Sequence, residues 1–142
     1  MNTSDLGALA QVTDALYRTE AGHMQQLVAE ERRVREALAR LDMQAMANRS
    51  LPEADLDGLR QIGGDMIWQG WVGRKRAELL TELAGVLGRK GQRVTRLRRA
   101  FGKAQAVDHM ASVARAGQTR DAQKHAETTR AQLGLLSGWM SD

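Results

Sequence analysis

The chain has no cysteine, a single proline, and one residue each of tyrosine and phenylalanine. Without cysteine there are no disulfides and no thiol chemistry, which fits a reducing compartment. Aromatic residues make up only 4% of the chain, fewer than a thick globular core usually draws on. The single proline, Pro52, leaves the stretch from there to about Ala116 free of the residue that most readily breaks a helix. β-Branched residues are sparse and no alternating apolar run stands out, so strand signals are weak. No apolar run approaches the roughly 20 residues that span a bilayer. The opening Met1-Asn2-Thr3-Ser4-Asp5 lacks the basic and then apolar pattern of a secretory leader. The expectation is a soluble, cytoplasmic chain without membrane insertion.

What is present favours helix. Hydrophobic residues are 42% of the 142 positions, but alanine, leucine and methionine dominate them. Together with abundant glutamate, arginine and glutamine, this is the composition of long helices or a coiled coil. A chain of this length is normally one domain. The net charge of +4 is unevenly distributed, because residues 74–103 carry ten Lys/Arg against only Glu78 and Glu82. The basic character is therefore one block in the second half.

Hydrophobic spacing predicts a first helix over about residues 5–48, capped by Thr3 or Ser4, with Asp5 near the positive end of the helix dipole. Its stripe runs Leu6, Leu9, Thr13, Leu16, Glu20, Met24, Leu27, Glu31, Val34, Leu38 and Leu41, narrow enough for a two-helix seam. Glu20 and Glu31 interrupt it. A turn over 49–52 follows. Ser50 and Glu53 then form a capping-box pattern around Pro52, which the first helical turn tolerates. The second helix is expected over about 53–116, with Leu80, Leu87, Val94 and Phe101 spaced by seven and Leu83 and Leu97 on the companion position. Gly63-Gly64 is the expected kink and Gly85 to Gly91 a second flexible stretch, since glycine costs roughly 1 kcal/mol against alanine in a helix interior. Residues 116–119 are read as an end or a bend, with room for a C-terminal helical segment over about 120–136. The expected fold is all-α: an antiparallel two-helix coiled-coil hairpin with a long second helix, in a single elongated domain. At 1.5 Å per residue the first helix is roughly 65 Å and the second roughly 95 Å. Val94 to Met110 should therefore lack cover from the first helix, and an uncovered apolar stripe is an interaction surface.

No catalytic constellation is visible. His23, His109 and His125 are far apart and have no neighbours at ligand spacing. Gly85, Gly88 and Gly91 lack the context and the Lys-Ser/Thr ending of a phosphate loop. The chain reads as a non-enzyme with no metal and no cofactor. Candidate partner-binding residues are Trp68 and Trp71, three apart on one side of the second helix, and Arg89, Arg93, Arg96, Phe101 and Lys103. The tryptophans read either as packing over the kink near Gly63-Gly64 or as an anchor for a partner. The basic block reads as a solvated flank, as a surface for an acidic partner, or as a phosphate-tracking face formed by Arg89, Arg93, Arg96 and Lys103.

The layout resembles the FliJ/YscO family of type III export proteins. The features that carry the resemblance are a charged first helix from Leu6 to Leu41, the entry Leu51-Pro52-Glu53-Ala54-Asp55-Leu56-Asp57-Gly58-Leu59, and a long Arg- and Leu-rich helix through Leu79-Leu80-Thr81-Glu82-Leu83 to Ala106. The resemblance covers most of the chain. It implies a non-catalytic coiled-coil stalk of a flagellar or injectisome export apparatus, seated at the centre of a hexameric export ATPase and touching the export gate and chaperones. The alternative from a different class is a basic helical nucleic-acid-binding or phage DNA-packaging accessory protein.

Overall fold

The computed structural model of the protein describes residues 1–49 and 58–141, with 58–62 described by backbone alone. Two α-helices make up the described chain, α1 (Thr3–Arg49) and α2 (Gly58–Met140), and no strand occurs among the described residues. The fold is the expected all-α helical hairpin. Arg49, the first residue of the turn expected over 49–52, closes α1; the rest of that turn and the capping box of Ser50 and Glu53 lie outside the described residues.

Helix α1 starts one residue earlier than Thr3 or Ser4 capping would allow. Asn2 is its cap: the Asp5 backbone N–H donates to Asn2 Oδ1 at 2.8 Å, and the Asn2 N–H donates back to the Asp5 carboxylate at 3.4 Å. This reciprocal pair satisfies two helix-end donors at once. The Leu6 N–H then donates to the Asn2 carbonyl at 3.1 Å as the first helical bond.

Helix α2 corrects the expected end near residue 116. It runs unbroken for 83 residues, through 116–119 and through both glycine stretches. Thr119, Thr128 and Thr129 each donate their hydroxyl to the carbonyl four residues back, at 2.9–3.0 Å. Their polar atoms are thus absorbed within the helix instead of breaking it. No described glycine has a positive φ.

The chain forms two compact units, one of Met1–Thr19 with Arg98–Asp142 and the other of Glu20–Leu97. In the second unit the helices are antiparallel. Asp42 pairs with Arg76, Glu31 with Lys90 and Glu20 with Arg93, so position falls along α1 as it rises along α2. Between them lies a core of Val34, Leu41, Leu79 and Leu83, flanked by Ala37, Leu38 and Val72. Val86 and Leu27 are also buried. In the first unit Leu6, Thr13, Val107 and Ala111 are buried. The buried Thr13 hydroxyl is satisfied by the Leu9 and Ala10 carbonyls at 3.0 and 3.1 Å.

The seam of α2 differs from the stripe that includes Leu80, Leu87 and Phe101, all of which are exposed. Covered positions recur at alternating steps of four and three through Leu79, Leu83, Val86, Lys90, Arg93, Leu97, Ala100, Ala104, Val107, Ala111 and Ala114, and Trp68, Val72, Val94 and Gly117 are also partly covered. Leu83 and Leu97 are the two members of the expected pattern that keep their place beside Val94. On α1 the seam keeps Leu6, Thr13, Glu20, Leu27, Val34 and Leu41 at seven-residue spacing, while Tyr17 is covered and Leu16 exposed. Val94 to Met110 is therefore not the uncovered part. From Gln118 to Met140 every residue of α2 is exposed.

Two substitutions test this seam in opposite directions. Leu83→Ala removes a buried member of the core and should cost about 2 kcal/mol, the low end for leucine, because a two-helix seam can partly close over the gap. Gly88→Ala should raise stability by up to about 1 kcal/mol, because a Cβ there meets nothing within 4 Å. Both are read by urea titration followed by circular dichroism. A neutral Leu83→Ala would contradict the assigned seam.

Candidate interaction surfaces and the charged seam

The charged side chains of the second unit are organised by the seam. Glu31 and Lys90 face each other at half-covered positions, and Lys90 Nζ donates to Glu31 Oε2 at 2.7 Å. Glu31 Oε1 also accepts from Arg35 Nε at 3.0 Å, one helical turn away. The Glu31 side chain is only 15% exposed. Its pKa is held below the ordinary 4.5, first by the hydrogen bond from Lys90 and then by that from Arg35, with desolvation opposing them. Arg89 donates to Glu30 at 3.2 Å, Arg93 to Glu20 at 3.5 Å and Arg76 to Asp42 at 3.2 Å.

These pairs change the reading of the basic block. Arg89 and Arg93, two of the candidate partner-binding residues, are tied to carboxylates of α1. Glu20 and Glu31, read in sequence as interruptions of an apolar stripe, are their counterparts or neighbours in the seam. Arg96 stands apart, since no carboxylate among the described residues lies within ion-pair distance of it. It lines a groove of about 410 Å³ together with Arg89, Arg93, Gln92, His23 and Gln26, floored by Leu27 and edged by Glu30.

Trp68 and Trp71 stack on each other, with ring centroids 5.2 Å apart and planes 24° from parallel. Trp68 is half-covered and Trp71 exposed. Both belong to the second unit with Arg89, Arg93 and Arg96, whereas Phe101 and Lys103 belong to the first. Phe101 packs against Tyr17 at 5.3 Å in a tilted arrangement, and Lys103 is exposed. The candidates read from sequence are thus a tryptophan pair, an arginine groove and an aromatic contact within the first unit.

One surface was not singled out in the sequence. Near the end of α2, Leu133, Leu135, Leu136, Trp139 and Met140 are all exposed, the last two at 85% and 87%. Within eight residues they cover less than half the circumference of a helix turning 100° per residue. The apolar spacing is legible in the sequence, but the expected C-terminal segment ends at 136, short of Trp139 and Met140.

Among the described residues no group of His, Asp and Glu could hold a metal ion, and no helix is long and apolar enough to cross a membrane. Comparison with protein families, with curated proteins and with solved structures finds no match.

The Glu31 geometry predicts an acid limb in the stability curve. Because its native pKa is depressed, the stability it contributes is present above about pH 4.5 and is lost as pH falls through the native value. Glu31→Gln should lower the melting temperature at neutral pH and flatten the decline between neutral and acid pH. Thermal melts of both chains across that range read the effect, and parallel acid limbs would remove the assigned role.

Proposed function

We propose that the protein is a non-enzymatic coiled-coil stalk or adaptor of a flagellar or type III export apparatus. It works in the cytoplasm and contacts the export ATPase and the export gate or chaperones. The observation that carries this reading is the inequality of the two antiparallel helices. Helix α1 has 47 residues and α2 has 83, and α2 continues from Gln118 to Met140 with every residue exposed. A hairpin with one helix extended offers a partner a bare helical face, and helix-in-groove docking uses apolar anchors at the spacing of Leu133, Leu136 and Met140. The antiparallel pairing of two long helices is what supports the FliJ/YscO resemblance, from which the shorter first helix departs, and that resemblance supplies the identity of the machine and its components.

The nucleic-acid reading has less support. Phosphate binding draws on cations free to exchange their counterions, and Arg89 and Arg93 already hold carboxylates of the same chain.

The test is retention of purified export ATPase and of the cytoplasmic part of the export gate on the immobilised full chain, beside a salt titration with duplex DNA. Retention of either export component is expected. Sub-micromolar DNA binding at physiological salt with neither component retained overturns the reading. A double substitution, Leu136→Ser with Trp139→Ser, should leave the melting temperature within a degree or two, because those side chains are exposed. The same change should weaken retention by about tenfold if this end of α2 is the docking face, the loss expected when buried aromatic and aliphatic anchors are removed.

A further inference from the structure

We infer that the groove lined by Arg89, Arg93 and Arg96 is a docking site for an acidic helix of a protein partner. The inference deepens the adaptor reading and rests on it, naming the chemistry of one partner surface.

The argument begins with spacing. Arg89, Arg93 and Arg96 fall at i, i+4 and i+7 of α2, one face of a helix spanning about 10 Å. A second helix laid alongside, with carboxylates at the same spacing, meets Arg96 unpaired and shares the remaining guanidinium donors of Arg89 and Arg93. The chain itself shows this recognition. Arg89 is engaged by Glu30 and Arg93 by Glu20, carboxylates presented by helix α1. The arginines are therefore already placed to take acids from a helix.

The third member of the row lacks such a partner. Beside Glu30, which holds Arg89, α1 contributes the uncharged Gln26 and His23 to this groove, and no described carboxylate pairs with Arg96. An incoming acidic helix gains a charge-assisted pair at Arg96 without displacing an existing one. Gln26 and Gln92 border the same groove and supply amide donors, and Leu27 gives it an apolar floor. A groove between two helices, about 410 Å³ in volume, with an apolar floor and cationic walls, fits a third helix. The absence of Trp, Tyr and Phe among the lining residues weighs against a nucleic-acid strand, which would use such rings as stacking surfaces.

The experiment uses the full chain and an alanine-rich, fluorescently labelled helical peptide of roughly 20 residues, long enough to hold helix, bearing glutamate at i, i+4 and i+7. A matched peptide with lysine at those positions is the control, and binding is read by fluorescence anisotropy. Saturable binding of the acidic peptide, weakening with salt, and no binding of the lysine peptide are expected. Arg96→Glu should weaken it by about tenfold, with unchanged helicity by circular dichroism, while Arg120→Glu in the other unit should change it less than twofold. No saturable binding overturns the inference, and so does indifference to Arg96→Glu. Tighter binding of a duplex DNA oligonucleotide, also lost in Arg96→Glu, overturns it in favour of a phosphate-tracking face. If export components are retained equally by wild type and Arg96→Glu, the adaptor reading stands and the groove is not its docking site.

Discussion

The antiparallel pairing of the second unit depends on a charged layer set inside an otherwise apolar seam. Lys90 occupies a seam position of α2 and meets Glu31 at 2.7 Å, while Arg93, the next seam position, reaches Glu20 at 3.5 Å. Polar residues at core positions of a coiled coil reduce stability but specify register, because any slip leaves a charge facing leucine. Exposed ion pairs contribute little on their own. Their effect here is to penalise the alternatives more than to stabilise the native state.

That layer resolves an ambiguity in α2. Leu79-Leu80 and Val86-Leu87 are adjacent apolar pairs, so two seams one residue apart can be drawn through them. The stripe through Leu80, Leu87, Val94 and Phe101 reads as a better heptad than helix one offers, with Lys90 between Leu83 and Leu97 at the companion position. The folded chain uses Leu79, Leu83 and Val86 and continues through Lys90 and Arg93. The choice follows from α1, whose seam includes Glu20. Placing Lys90 and Arg93 toward α1 pairs the charges, whereas the alternative stripe would set its apolar side chains against the acids.

Much of the fold was therefore legible one helix at a time. The period of α1, its heptad from Leu6 to Leu41 and the greater length of α2 all follow from spacing and composition. What escaped were decisions that need both helices at once. Glu31 reads in sequence as a defect in one stripe, and Lys90 as a charge in another and a member of the basic block, since nothing in either helix alone reveals the partner. The run through 116–119 escaped for a different reason. Gly117 and Thr119 read as helix breakers by propensity, but propensity is a weak prior, and the Thr119 hydroxyl bonds within the helix to the Arg115 carbonyl. Of the candidate site residues, the Trp68 and Trp71 pairing followed from three-residue spacing, whereas the engagement of Arg89 and Arg93 by α1 did not.

The same charge logic separates the two surfaces available to partners. In the arginine groove the walls are cationic and partly occupied by the chain's own acids, so selectivity comes from complementarity of sign, and salt weakens it. At the end of α2 the exposed residues are leucine, tryptophan and methionine. Between Gln118 and Met140, Arg120, Lys124 and Arg130 stand against Asp121 and Glu127. With charges nearly balanced, no ligand of either sign is strongly selected there, and binding must come from burial of apolar area. Under the proposed docking, one surface would steer association and the other would supply affinity that salt does not screen. A two-helix protein can in this way distinguish an acidic helical partner from an apolar groove without an enclosed site, because the two demands fall on different residues.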